Sequence, residues 1–282
     1  MISFVFGLAA ALLWGMQNVL LASESRRGDT RVASFWFVAY QVPLAVPALI
    51  ITWDSTGADP VTLGWIAVGG VLQGLGVMLF TRALSIGPVG LLSGLLSLEG
   101  AWVAILSFIA GQSVGLPVAF GLILATAGGM LMVTARASDV PGRSILLVLV
   151  TITMTATGLF ILSHFEANIA LTMIIYNGFS ALAVWFYVRA QGLSLTAGRF
   201  SGLRSESVML AASGFGVLGL SAFTVGSQAE SAAVTAVLAA QFAALSAVIG
   251  YFAFGERLRR IQLFGFAVLA SGVGIIAAFA SG

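Results

Sequence analysis

Residues 121–129 read GLILATAGG, and residues 265–273, which lie 144 positions later, read GFAVLASGV. Both segments are apolar, and glycine occupies the first and the eighth position of each. Further glycines coincide at the same shift, namely Gly70 with Gly214 and Gly111 with Gly255. Ordered matches at one fixed spacing predict that the chain contains an internal duplication.

A second alignment supports the duplication at a slightly different spacing. A shift of 136 places the Tyr-Gln pair at 40–41 on the Tyr-Asn pair at 176–177. A difference in length between the corresponding loops of the two halves accounts for the change in shift. We predict that residues 1–138 form the first half and residues 139–282 the second.

The composition indicates that the protein is embedded in a lipid bilayer. The 282 residues are 60% hydrophobic and 8% charged, with a mean hydropathy of +1.09. Soluble domains carry about 25% charged residues, and a soluble fold of this size could not hide so much apolar surface. The N-terminal apolar stretch lacks a basic start and is too long for a signal peptide, so we expect it to be a retained helix.

Several classes of chemistry are excluded by residues that are missing. The sequence has no cysteine, which excludes disulfides, thiol catalysis and cysteine-bound metals. It also has no lysine, so the phosphate-binding motif GxxxxGK[ST] is absent. The net charge of +2 comes from arginines scattered among the loops, and we expect no nucleic-acid partner. We predict a protein without cofactor or metal site that is not an enzyme.

The chain contains ten apolar segments of the length that a membrane-spanning helix needs, about 20 residues. Their predicted bounds are Ile2–Ala22, Ala33–Thr52, Val61–Arg82, Val89–Gly111, Gly115–Ala135, Ser144–Ser163, Asn168–Tyr187, Val208–Gln228, Ser231–Phe254 and Arg260–Ala280. Five helices in each half is an odd number, so the second half must enter the membrane inverted. The predicted fold is an all-α polytopic membrane protein with ten transmembrane helices in two inverted five-helix repeats, an architecture of transporters.

Charge predicts the orientation of these helices, because arginine and lysine favour cytoplasmic loops. When the loops alternate across the membrane, one side receives all twelve arginines. The other side receives His164 and acids such as Asp54 and Glu230. We therefore expect a bacterial inner-membrane protein with both termini in the periplasm.

Short motifs in both halves resemble one family. They are Trp14-Gly15, Leu98-Glu99-Gly100, Gly111-Gln112, Gly255-Glu256-Arg257-Leu258, Leu263-Phe264-Gly265 and Ser271-Gly272-Val273. In this order they resemble the EamA-type, ten-helix branch of the drug/metabolite transporter superfamily, along essentially the whole chain. Within that branch the chain is similar to YddG-type exporters of aromatic and other amino acids. The resemblance implies export of small metabolites without a nucleotide site.

Glu99 is the main candidate for a functional residue. It lies near the middle of the fourth predicted helix, where a charge costs about 3 kcal/mol or more and is expected to face a cavity or a partner. A carboxylate at that depth suits a substrate ammonium group or a proton, although a structural carboxyl bonded to a neighbouring helix is the plain alternative.

Other candidates share this depth. Amides and phenols that could bind a zwitterion, or simply join helices, are Gln17, Asn18, Tyr40, Gln41, Gln73, Tyr176, Asn177 and Gln241. Trp14 and Trp102 are central tryptophans, and Trp102 is three residues from Glu99 and so on the same side of its helix. Pro43 and Pro47 interrupt the hydrogen bonds of the second helix and are candidate gating hinges or static kinks.

These residues favour a secondary transporter that exports small metabolites, foremost amino acids including aromatic ones, by alternating access around a cavity at the membrane midplane. The expected partners are a small-molecule substrate, the lipid bilayer and, in a coupled mechanism, protons; the oligomeric state is open. The alternative is efflux of organic cations or drugs, which a second deep acid would favour beside Glu99.

Overall fold

The computed structural model describes residues 1–25, 29–52, 59–86, 92, 95–133, 142–195, 203–242, 244–245 and 260–279. These residues form α-helices and contain no strand. The helices are α1 (Ile2–Ser25), α2 (Thr30–Thr52), α3 (Pro60–Ile86), α4 (Leu98–Ile109), α5 (Leu116–Val133), α6 (Gly142–His164), α7 (Ile169–Ala190), α8 (Leu203–Ala229), α9 (Ala232–Ala239) and α10 (Arg260–Phe279).

The predicted all-α membrane protein is confirmed at the level of fold class. In the described part of the chain, α1, α3, α6, α7, α8 and α10 are long and apolar enough to cross a membrane. Large apolar side chains such as Ile123, Phe186 and Leu218 are more than half exposed on the outside of the bundle. An apolar exterior of this kind suits lipid as the surrounding solvent.

Helical hydrogen bonding is interrupted at two positions that are 144 residues apart. α4 begins at Leu98 after a turn at Ser97, and α9 ends before a turn at Ala240–Gln241. At the second break the N–H of Gln241 donates to the carbonyl of Leu238, three residues back, at 3.1 Å. The two interruptions therefore occupy the same position in the two predicted halves.

The helices pack in pairs that are related by moving five places along the chain. α1 packs along α8 and α3 packs along α6, and each pairing becomes the other when helix numbers are shifted by five. The pairs α2–α7, α4–α9 and α5–α10 map onto themselves under the same exchange. The contacts of α1 with α9 and of α6 with α4 are likewise exchanged.

The crossing of α5 and α10 has the same exchange symmetry at atomic detail. A Cβ added to Gly128 would lie 2.7 Å from the carbonyl oxygen of Gly265, and one added to Gly272 would lie 2.7 Å from that of Gly121. Shifting each residue of the first contact by 144 produces the second. Only glycine permits so close an approach of two backbones, which is the usual reason for small residues at membrane helix crossings.

One end of the bundle is closed by contacts between helices. The rings of Trp65 on α3 and Phe165, which follows α6, stack with centroids 5.5 Å apart. The amide Nε2 of Gln228 on α8 donates to the carbonyls of Leu162 (2.9 Å) and Phe165 (3.3 Å), which lie at the C-terminal end of α6. The opposite end of the bundle contains Arg31 at the start of α2, Arg82 near the end of α3 and Arg143 at the start of α6.

Some sequence predictions fall partly or wholly outside the described residues. The boundary between the halves at 138/139 lies within 134–141, and the Gly255–Leu258 motif lies within 246–259. The predicted start of the fourth helix at Val89 and the predicted end of the ninth helix at Phe254 also lie outside the described residues. Pro43 and Pro47 lie on an exposed side of α2, which continues as one helix through both of them.

Candidate functional site

A cavity of about 730 Å³, including its open mouth, lies between the helices. It is lined by α1, α2, α3, α4, α6, α7 and α8 and by the segments next to α4 and α9. Its lining residues are Trp14, Gln17, Asn18, Leu21, Phe37, Val38, Gln41, Gln73, Val77, Phe80, Leu96, Glu99, Thr151, Thr155, Leu159, Asn177, Gly216, Leu220 and Phe242.

The cavity extends from the middle of the bundle toward the end that carries arginine. On α1 it begins at Trp14 and reaches Leu21, near the C-terminal end of that helix. On α3 it runs from Gln73 to Phe80, two residues before Arg82. The cavity therefore points away from the end closed by Trp65 and Phe165.

Glu99 lies in the wall of this cavity and is 7% exposed. Its Oε2 accepts a hydrogen bond of 2.9 Å from Oγ1 of Thr155 on α6. Because α4 begins at Leu98, Glu99 lies in the first turn of this helix. None of the described lining residues is basic. The site therefore offers a single carboxylate, without a cation from the described residues, at the cavity wall.

Five amides that were predicted from the sequence line the same cavity, namely Gln17, Asn18, Gln41, Gln73 and Asn177. They come from α1, α2, α3 and α7, so the fold collects them from helices that are distant in sequence. A Cβ on Gly216 of α8 would lie 3.0 Å from both Gln17 Oε1 and Gln41 Nε2. The missing side chain at Gly216 therefore lets these two amides approach α8.

Aromatic rings form another part of the lining. Trp14 stacks on Phe223 with ring centroids 5.9 Å apart and meets Phe242 edge to face at 6.4 Å. A Cβ on Gly219 would lie 2.6 Å from the indole Nε1 of Trp14, so the glycine provides the space that this ring occupies. Phe37 and Phe80 also reach the cavity. A carboxylate beside aromatic rings can accommodate an amine that carries an aromatic group, or an organic cation.

Four of the predicted substrate-binding residues lie outside this lining. Trp102 is 39% exposed on the outside of α4, whereas Glu99 is buried in the cavity wall. The two side chains were expected on the same side of the helix, but only Glu99 reaches the cavity. Tyr40 packs against Trp36, with ring centroids 5.3 Å apart. Gln241 is buried against Gly129, and its Nε2 donates to the carbonyl of Val237 at 2.8 Å.

Tyr176 is the fourth, and it holds a residue of the cavity rather than lining it. It is fully buried, and its hydroxyl donates to Oε1 of Gln73 at 3.4 Å. In this contact the amide oxygen of Gln73 is the acceptor, so its NH₂ group is left for other partners. One residue further along α7, Asn177 reaches the cavity.

Several lining residues were missed by the sequence analysis. Thr155 and Thr151 read as ordinary hydroxyls of an apolar helix, and nothing in their spacing indicates contact with Glu99. Phe37, Phe80 and Phe242 are among twenty phenylalanines, most of which the sequence cannot distinguish. Glu24 was also missed; it is 1% exposed near the end of α1 and accepts a hydrogen bond from Ser205 on α8. It lies outside the described lining of the cavity.

Two carboxylates outside the membrane-spanning segments have lowered pKa values. The side-chain hydrogen bond from Arg31 lowers the pKa of Asp29 below its ordinary value of 3.8. Asp29 also accepts from the backbone N–H of Arg31 at 2.9 Å and so caps the start of α2. At the opposite end, hydrogen bonds from the N-terminal ammonium group lower the pKa of Glu230. Both groups fasten helix ends rather than contribute to the cavity.

Comparison with known proteins identifies the fold but not a family. No family model and no curated protein matches this chain. Among solved structures, one described only as a crystal structure of a protein covers 98% of this chain and 98% of its own length, with a TM-score of 0.79 and 14% sequence identity. At this identity the likeness shows a shared fold over the full length of both chains.

Proposed function

We propose that this protein is a secondary transporter that exports small amine-bearing metabolites, foremost amino acids including aromatic ones, across the bacterial inner membrane. The observation that carries the proposal is Glu99, a buried carboxylate in the wall of a cavity lined otherwise by amides, hydroxyls and apolar rings. An intramembrane carboxylate that faces a cavity marks a substrate or proton site, because its burial elsewhere is too costly.

The architecture that we propose is two inverted five-helix halves, residues 1–138 and 139–282. The exchange of packing partners when helices are moved five places supports it, as does the paired crossing of α5 and α10. Helix breaks at Ser97 and Gln241, next to the cavity residues Glu99 and Phe242, also fit, because transporters of this type bind substrates at interrupted helices between repeats. We place the chain in the EamA-type branch of the drug/metabolite transporter superfamily on these grounds and on its motifs.

The recognition chemistry follows from the lining. The carboxylate of Glu99 binds the ammonium group of an amino acid, while Thr155 donates a hydrogen bond to its Oε2. The surrounding amides offer hydrogen-bond donors to the substrate carboxylate. Trp14 and Phe242 accept an aromatic or aliphatic side chain. The same carboxylate can carry a proton, and both proton-coupled and facilitated transport are consistent with this site.

Alternating access requires that the cavity open to one side at a time. The described cavity points toward the end of the bundle that carries Arg31, Arg82 and Arg143. Under the positive-inside rule this end is cytoplasmic, so the conformation corresponds to the loading state of an exporter. Release on the other side then requires separation of Gln228 from the carbonyls of Leu162 and Phe165.

The experiment is uptake of labelled phenylalanine, leucine and other neutral amino acids into proteoliposomes, with and without an imposed pH gradient. We expect saturable uptake that Glu99→Gln reduces at least tenfold. Glu166→Gln is the matched control, because it removes an exposed carboxylate at the end of the bundle remote from the cavity. Saturable uptake that persists undiminished in Glu99→Gln would remove Glu99 from the mechanism, and folded protein that moves no amino acid would contradict the proposal.

Efflux of organic cations is the second candidate. It is favoured by one observation, the combination of a lone carboxylate with aromatic rings in a described lining that holds no basic side chain. The two functions differ in whether a substrate carboxylate contributes to binding. Saturable transport of quaternary ammonium compounds in preference to every amino acid would favour this second function.

A further inference from the structure

One buried polar group in the cavity wall has no hydrogen-bond partner among the described residues. Asn177 on α7 is 2% exposed, and its amide nitrogen Nδ2 forms no hydrogen bond in the described structure. It lines the same cavity as Glu99. A buried donor that is left unsatisfied is costly, so such groups are rare unless something outside the chain satisfies them.

The neighbours of Asn177 on α7 form hydrogen bonds to α3, whereas the amide nitrogen of Asn177 forms none in the described structure. Ser180 donates to the carbonyl of Gly70 at 2.6 Å, and Tyr176 donates to Gln73 at 3.4 Å. Both contacts fasten α7 to α3, where Gly70 and Gly74 allow a close approach. The nitrogen of Asn177 takes no part in this fastening, and the residue belongs to the cavity wall.

We propose that Asn177 receives the carboxylate of the substrate, so that the cavity selects zwitterionic amino acids over amines that lack an acidic group. This inference rests on the proposed function, in which Glu99 receives the ammonium group. An amide NH₂ donates but carries no charge, which suits a carboxylate in a cavity whose described lining has no basic residue. The NH₂ group of Gln73, whose oxygen is occupied by Tyr176, is a second donor in the same lining.

Because Glu99 and Asn177 bind different groups of the substrate, their contributions to binding can be measured separately. A compound that keeps the amine but lacks the carboxylate needs Glu99 and gains nothing from Asn177. A compound with both groups needs both residues. Phenylalanine and phenethylamine form such a pair, because they share the ring and the amine and differ by the carboxylate alone.

The test is the ratio of phenylalanine to phenethylamine transport in proteoliposomes of wild type, Asn177→Leu and Asn177→Asp. Leucine has the same branching at Cγ as asparagine but no donor, and we expect it to lower the ratio by about ten- to a hundredfold, the usual effect of a hydrogen bond to a charged group. Asn177→Asp places a negative charge against the carboxylate and should lower the ratio at least as far.

Thr172→Val is the matched control on α7. It also removes a buried polar group that has no partner among the described residues, but Thr172 lies outside the described lining. We expect this variant to leave the ratio of phenylalanine to phenethylamine transport unchanged.

The outcomes distinguish the two proposals. A wild-type protein that moves phenylalanine, with an unchanged ratio in folded Asn177→Leu and Asn177→Asp, would overturn the role of Asn177 and leave the proposed function standing. Folded wild-type protein that moves neither compound would overturn both. Glu99→Gln should lower transport of both compounds, because the amine is common to them. Folding of each variant is checked by gel filtration and by thermal melting in detergent.

Discussion

The hydroxyl of Thr155 on α6 donates a 2.9 Å hydrogen bond to the carboxylate of Glu99 on α4. Thr155 Oγ1 also lies 2.9 Å from the carbonyl oxygen of Thr151, one turn earlier in its own helix. The hydroxyl has one proton, so it can donate to the carboxylate or to the carbonyl, and in the second case it can accept from a protonated Glu99. Thr155 is thus able to hold Glu99 in either protonation state.

We expect Thr155→Val to slow transport severalfold, because Glu99 then has no described partner to orient it. Thr155→Ser should transport nearly as wild type, since serine keeps the hydroxyl. Thr157→Val is the control, because Thr157 lies outside the described lining of the cavity and its hydroxyl donates to the carbonyl of Thr153 in its own helix. The measurement is initial uptake rate at several external pH values. Equal rates and equal pH profiles for Thr155→Val and wild type would show that Thr155 does not position Glu99.

The α5–α10 crossing should be sensitive to a single methyl group. In Gly272→Ala the new Cβ would overlap the backbone N of Ala125 and lie 2.7 Å from the carbonyl of Gly121, so the helices must separate. Overpacking of this kind costs about 1–3 kcal/mol. Gly274→Ala, two residues away on the same helix, meets nothing within 4 Å and serves as the control. A melting temperature in detergent that falls for Gly274→Ala as much as for Gly272→Ala would contradict the crossing.

The direction in which the cavity opens can be measured by cysteine labelling, because the natural chain has no cysteine. Val77→Cys lies in the cavity wall near Arg82, and we expect an impermeant maleimide to label it in inside-out vesicles. Ser227→Cys replaces a buried residue at the closed end of α8 and should remain unlabelled on either side. Substrate should protect Val77→Cys. Labelling of Val77→Cys in right-side-out vesicles alone would mean that both termini are cytoplasmic.

Asp29 predicts a specific loss of stability in acid. Its pKa is lowered in the folded state, so its contribution is complete above the ordinary value of 3.8 and is lost as the pH falls through the folded value. Asp29→Ala removes the cap of α2 and the ion pair with Arg31, and should cost about 1 kcal/mol at neutral pH. Asp29→Asn keeps the cap and should cost less.

The measurement for Asp29 is the difference in melting temperature between wild type and each variant as a function of pH. We expect the difference for Asp29→Ala to hold down to about pH 3.8 and to shrink in the interval below that value. A difference that stays constant over this interval would mean that the carboxylate of Asp29 is not stabilised by Arg31.

The cavity illustrates how much of a site can be predicted from sequence. Glu99 and the amides at Gln17, Gln41 and Asn177 were selected because polar groups at mid-membrane depth are costly, and the fold brings them together in one lining. Trp102 was selected because it is a tryptophan in the middle of a helix, three residues from Glu99, and it lies on the exterior. Depth along a helix can be read from sequence, but the direction of a side chain around an apolar helix cannot, since a membrane helix lacks the polar face that orients a soluble one.

The sequence by itself determined that this protein is helical and apolar enough to be surrounded by a lipid bilayer. Apolar length is a local property that needs no partner, so 60% hydrophobic residues in segments of about 20 predict membrane helices directly. Gly121 and Gly128 coincide with Gly265 and Gly272 at a shift of 144, which indicated a duplication from the sequence. Only the structure showed that these glycines lie at the α5–α10 crossing.

Only the tertiary structure decided which residues meet. Three features depend on contacts between α3, α4, α6 and α7: Thr155 donates to Glu99, Tyr176 donates to Gln73, and the amide nitrogen of Asn177 has no partner among the described residues. Such contacts follow from how whole helices rotate and slide to fill space, a collective property of the packed bundle. A sequence of uniformly apolar helices leaves that rotation open, and packing fixes it.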